Sequence, residues 1–191
     1  MIGDGALAQL DVAASEQDGY FTVAQAAGAG LSAEAIANRI AGGEWTRIDG
    51  DLLRVGSWPR HELEEFSKWC ALLGPTSVVS HHSAAELHGL GNLHPKFVHF
   101  SGLLSTTDQS LVIHRCLLDA SDIEFTGAFR ITTPIRTMLD LAAGTISQFT
   151  LDEIVGDALS LERIDADALD YRAQQWNDRV IRRIERALAA R

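Results

Sequence analysis

Two adjacent side chains in the first quarter of the sequence have the chemistry to read a nucleic acid. Asn38 and Arg39 lie in residues 32–40 (SAEAIANRI), where Ala33, Ile36, Ala37 and Ile40 recur at helical spacing. With those four facing inward, Ser32, Ala35, Asn38, Arg39 and Gly42 point outward. Asparagine pairs bidentately with adenine, and arginine with guanine, at major-groove base edges. Arg47 and Arg54 follow on two short extended runs, from which guanidinium groups can reach phosphates. The plainer alternative is a helix whose polar residues only meet solvent.

Other constellations carry less chemistry. His81 and His88 are seven residues apart, two helical turns, and no i, i+4 histidine pair or nearby acid completes a metal site with His82. Capping and packing are the expected roles there, with no metal and no cofactor. Asp165-Ala166-Asp167 has the D-x-D form that holds Mg²⁺ in nucleotidyltransferases, but it stands at a helix start, where capping accounts for it. P-loop, dinucleotide-binding, H-E-x-x-H and G-x-S-x-G patterns are all missing, so no catalytic residue is assigned and a non-enzymatic role is expected. Arg136 and Asp140, spaced i, i+4, read as an ion pair bracing one helix.

The elements around Asn38 and Arg39 set their context. Residues 4–16 predict a helix capped by Asp4, with Ala6, Leu7, Leu10, Ala13 and Ala14 inward. Thr22 caps a short helix over Val23–Ala27, Gly28-Ala29-Gly30 supplies a turn, and Ser32 caps the next helix. Trp45–Ile48 and Leu52–Val55 then form a hairpin around Asp49-Gly50-Asp51. Helix, turn, helix, hairpin is the order of a winged helix-turn-helix, whose second helix enters a major groove. Gly56-Ser57-Trp58-Pro59 breaks the pattern, so a boundary is placed there: residues 1–59 as a DNA-binding domain, 60–191 as a second domain.

Three segments together resemble the AbiEi family of antitoxins. They are Gly19–Val55, residues 80–90 (SHHSAAELHGL) and residues 130–142 (RITTPIRTMLDLA). The resemblance implies a bacterial antitoxin that represses its own operon and counteracts a nucleotidyltransferase-type toxin, so operator DNA and that cognate toxin are its expected partners. A homodimer on DNA is a further expectation. Wings in that family are usually basic, whereas Asp49 and Asp51 make this tip acidic. Two other readings remain open: a toxin-binding interaction module without DNA binding, and a winged-helix repressor answering a small ligand.

The second domain is expected to be mixed. A helix over His61–Leu73 and one over Ser80–Leu87 precede strands at His94–Phe100, Leu111–Leu118 and Ile123–Ile131, forming a small, mostly antiparallel sheet. Thr132-Thr133-Pro134 announces a helix, and further helices are capped by Asp165 and Asn177. On the last helix Val180, Ile181, Ile184 and Leu188 face one way and Arg179, Arg182, Arg183 and Arg186 the other. That stripe is either solvated surface or a contact for nucleic acid or a partner. The fold class is therefore α+β, an N-terminal winged helix-turn-helix followed by a small antiparallel sheet with several helices.

A net charge of −10 over 191 residues, 46% of them hydrophobic, describes a folded chain without general affinity for phosphates. Residues 1–60 hold four arginines against eight acids, or −4, so DNA binding must come from locally placed arginine. Cys70 and Cys116 form no disulfide framework, and no apolar run approaches the roughly 20 residues of a membrane span. A cytoplasmic protein without a membrane partner is expected.

Overall fold

The computed structural model describes residues 4–190, the side chains of Asp4 and Ala6 excepted; the expected Asp4 cap and inward Ala6 lie outside the described residues. The chain is α+β and divides into two compact units, residues 1–77 with 125–130, and residues 78–124 with 131–191.

In the first unit the order is α1 (Asp4–Ser15), β1 (Tyr20–Thr22), α2 (Val23–Gly28), α3 (Ala33–Ala41), β2 (Trp45–Asp49), β3 (Leu52–Val55) and α4 (Glu64–Leu73). Thr22 makes a full capping box with Gln25, and the Ser32 side chain accepts from the Ala35 amide. These local bonds fix where α2 and α3 begin. The three strands form an antiparallel sheet in the order β1-β3-β2, with a register shift between Arg47 and Asp49. Leu10, Ala14, Phe21, Ala26, Leu31, Ile36, Trp45 and Leu53 are buried together, and the Phe21 and Trp45 rings meet edge to face at 4.8 Å. At Gly19 φ is +80°, and an added Cβ would stand 2.5 Å from the Trp58 ring, so only glycine fits there. The unit runs past the expected boundary at 59 because Ala71 of α4 packs with Tyr20 and Leu52.

The second unit holds β4 (Val78–Val79), α5 (His81–Leu87), β5 (Val98–Ser101), β6 (Leu111–His114), a 3₁₀ turn (Ala120–Asp122), α6 (Pro134–Ala143), α7 (Gln148–Ser160), α8 (Ala166–Ala173) and α9 (Asp178–Ala189). Two more strands, β7 (Ile123–Phe125) and β8 (Arg130–Thr132), complete a five-stranded sheet of order β6-β5-β4-β8-β7. This sheet is mixed, which corrects the antiparallel expectation: β4 pairs antiparallel with β5, but β5–β6 and β4–β8 are parallel. Residues 102–110 are long enough to carry the chain back to the same end, whereas a tight turn would force antiparallel pairing. The strands are also shorter than expected. Pro95 cannot donate to a ladder, and β5 starts only at Val98.

Helices α6 to α9 share one core, in which Met138, Leu139, Leu151, Ile154, Val155, Leu169, Val180 and Ile184 are buried. Their starts follow the sequence: Thr133 with Pro134, Ser147, Asp165 and Asn177 each cap a helix through the side chain.

Candidate functional site

Helix α3 presents a surface different from the one its sequence predicts. Ile36 is buried, and Ala35 and Ile40 pack against the first core, while Ala33, Glu34, Ala37, Asn38 and Ala41 are exposed. Ala33 and Ala37, expected inward, are exposed, and Ala35, expected outward, is half-buried against the first core, since alanine carries no directional signal of its own. Asn38 stands exposed as expected. Ser32 is exposed but uses its hydroxyl to cap α3, 3.2 Å from the Ala35 amide. Arg39 is half-buried, pairs with Glu44 and lies over the Trp45 ring at 5.3 Å. An open concavity of about 370 Å³ beside it is lined by Ser32, Glu34, Ala35, Asn38, Arg39 and Glu44.

The two hairpin arginines differ. Arg47 is exposed and donates to the Gly50 carbonyl at the tip. Arg54, expected to contact phosphate, is buried. It donates to the Trp58 carbonyl at 3.0 Å and the Pro59 carbonyl at 2.7 Å, has Glu64 at 3.5 Å, and lies over the Tyr20 ring. Its guanidinium pins the segment after the wing and cannot reach DNA without breaking those bonds. Asp49 and Asp51 are exposed beside Gly50.

The C-terminal arginines divide in the same way. Arg183 is half-buried and wraps the end of α6, donating to the carbonyls of Ala142 (2.9 Å), Gly144 (3.2 Å) and Ile146 (2.5 Å) and to the Gln148 side chain (3.2 Å). Arg179 adds a bond to the Gly144 carbonyl at 2.7 Å. The Ala142 carbonyl is one that the end of α6 leaves without a helical partner, at the negative end of its dipole; Gly144 is the cap residue and Ile146 lies just beyond it. The expectation of an outward side chain thus fails for Arg183, whereas Arg179 is exposed as expected while bonding to the Gly144 carbonyl. Arg182 and Arg186 are exposed; among the described residues Arg182 has only the exposed Asp178, at 3.8 Å.

Arg136 belongs to a larger cluster than the expected helix pair. Its Nε donates to Asp140 at 2.9 Å and its Nη1 to the buried Asp122 at 2.8 Å, while Arg172 reaches Asp122 from α8 at 2.5 Å. The Trp176 ring lies under the Arg136 guanidinium. Burial raises the Asp140 carboxyl to about 6, with Arg136 opposing the shift. Four charges tie α6, α8 and the 3₁₀ turn together, a bracing role.

Sequence reasoning missed a histidine cluster in the second unit. His81 and His82 open α5, His99 lies on β5 and His114 on β6. The His81 and His114 rings stack at 3.4 Å, and His99 Nδ1 faces His114 Nε2 at 2.9 Å. His81 Nδ1 is 3.0 Å from Ser80 Oγ, which accepts from Ser101. Burial, reinforced by the neighbouring imidazoles, lowers His81 to about 2 and His99 and His114 to about 4; burial also lowers His82. All four rings are neutral at pH 7. Among the described residues no three His, Cys, Asp or Glu side chains converge as a metal site would require.

No protein-family model matches the sequence, and no curated protein is significantly similar to it. No helix among the described residues is long and apolar enough to cross a membrane.

Proposed function

We propose that this chain is a bacterial antitoxin and transcriptional autorepressor that binds its own operator DNA and counteracts a nucleotidyltransferase-type toxin. The observation that carries the DNA-binding half is the winged order of the first unit, with α3 exposing Asn38 beside a two-stranded wing. The antitoxin half rests on the resemblance of the three segments described above. Asn38 reads a base edge, Arg39 swings from Glu44 to a base or phosphate, and Arg47 anchors the wing. A homodimer on a two-fold operator doubles these few cations.

One observation favours a second reading. With Arg54 buried, Arg39 paired and the tip acidic, the first unit has little free positive charge. A toxin-binding module without DNA binding would look the same. A gel shift with the DNA upstream of the chain's own gene, run beside a growth-rescue assay with the toxin expressed, separates the two. Retardation that Asn38→Ala weakens supports the repressor. Rescue without retardation replaces it with the interaction module, and neither result removes both readings.

A further inference from the structure

Glu44 stands at the joint between α3 and the wing. Gly42 and Gly43 turn the chain after Ala41, Gly43 with φ +76°, and Glu44 comes directly before β2. Its backbone is tied on both sides: the N–H donates to the Arg39 carbonyl at 3.0 Å, and the carbonyl accepts from the Gly56 amide at 2.8 Å. The joint is tightly closed, since a Cβ on Gly56 would stand 2.8 Å from the Gly43 carbonyl oxygen. The turn thereby delivers the Glu44 carboxylate to Arg39 in the last turn of the helix.

Arg39 is held on two sides and open on a third. Its Nη1 pairs with Glu44 Oε2, and its guanidinium lies over the Trp45 ring at 5.3 Å. The open side is the concavity it lines together with Ser32, Glu34 and Asn38. The Glu44 side chain is 58% exposed, and an ion pair this open adds little to folding. Its weight falls instead on what Arg39 can touch.

Charge decides that. A phosphate drawn to Arg39 must also approach the Glu44 carboxylate, and the pair is neutral overall, so most of the attraction is cancelled. A guanine edge carries no net charge and asks only for donors, of which a guanidinium keeps several beyond the one given to Glu44. The carboxylate therefore weakens contact with phosphate far more than contact with a base.

We propose that Glu44 is a specificity-determining residue of the winged unit, which suppresses phosphate contacts by Arg39 and leaves its base contact in place. The inference rests on the DNA-binding reading above and selects between the two contacts open to Arg39. Glu34 in the concavity and Asp49 and Asp51 at the wing tip repel phosphates in general, whereas Glu44 acts through one arginine.

The test follows binding of the full chain by fluorescence anisotropy over a range of salt concentrations. One duplex carries the DNA upstream of the chain's own gene, and the other is an unrelated sequence of equal length. Glu44→Gln keeps the shape of the side chain and removes its charge, Glu34→Gln removes a charge from the same concavity, and Glu44→Gln is repeated in the Arg39→Ala background. Glu44→Gln should bind the unrelated duplex about fivefold more tightly, steepen its log–log salt slope by about one, and lower the preference for upstream DNA by a similar factor. In the Arg39→Ala background the gain should shrink to about twofold or less, and Glu34→Gln should gain less than Glu44→Gln. An unchanged preference overturns the proposal. So does a gain that survives Arg39→Ala or is matched by Glu34→Gln, because Glu44 is then one negative charge among several. Weaker binding of both duplexes also overturns it, since Glu44 then supports Arg39. If wild type and Glu44→Gln bind neither duplex, the DNA-binding reading itself falls and takes the inference with it, a result distinct from the others.

Discussion

Arg183→Met should destabilise the second unit far more than Arg182→Met, one residue away on the same helix. Methionine keeps most of the apolar stem of Arg183 and removes the guanidinium, isolating its hydrogen bonds. That group donates to three carbonyls at the end of α6 and to Gln148. Bonds from a charged donor contribute about 1.5–3 kcal/mol each when buried, but water can take over part of this half-exposed site. Interaction with the helix end adds about 0.3–1 kcal/mol. Counting half of the four bonds as irreplaceable, each at the lower figure, gives a loss of roughly 3 kcal/mol, which for a chain of this size lowers Tm by about 6–12 °C. Among the described residues Arg182 has only a solvent-exposed carboxylate at 3.8 Å, so its replacement should cost about 0.5 kcal/mol or less. Urea unfolding followed by circular dichroism, with calorimetry to separate the two units, measures both. Equal midpoints for the two variants would refute the assignment of Arg183 as the cap of α6.

Gly19→Ala should cost about 2–4 kcal/mol by thermal melting, because the new methyl group meets the Trp58 ring in a left-handed backbone. Asn38→Ala should weaken operator binding by about 1–3 kcal/mol in a titrated gel shift, and unchanged affinity would strike it from the recognition surface. Salt dependence of the same binding should be shallow, with a log–log slope of about −3 or flatter per protomer, since Arg39, Arg47 and Arg60 are the arginines left within residues 1–60 once Arg54 is internal. Acid should destabilise the second unit: His99 and His114 are lowered to about 4 by burial, so their contribution is complete above 6.5 and is lost as pH falls towards 4. At pH 5 this is about 2 kcal/mol per independent group, opposed by about 1 kcal/mol from Asp140, whose raised value acts with the opposite sign; a urea midpoint equal at pH 7 and pH 5 would contradict it.

How far the sequence reaches depends on whether a feature is encoded within one turn of chain or across several elements. The caps at Thr22, Ser32, Thr133, Asp165 and Asn177 are legible because donor and acceptor lie two or three residues apart. The hairpin is legible for the same reason. The face of α3 is not, since Ile36 and Ile40 mark an inward direction but the intervening alanines are silent, and only packing on the rest of the first core decides which of them is covered. Arg54 follows two consecutive buried leucines, and that break in alternation is the one local sign that both sides of β3 are occupied. Arg183 does point away from the apolar stripe of its own helix. Periodicity, though, describes one helix at a time, and the end of α6 stands where solvent is expected. The histidines are the extreme case. His82, His99 and His114 are separated by 17 and 15 residues, and only the parallel pairing of β5 with β6, itself contrary to expectation, places the last two within one hydrogen bond. A site assembled by sheet register leaves no spacing for a motif search to find, so it emerges only when the strands are in place.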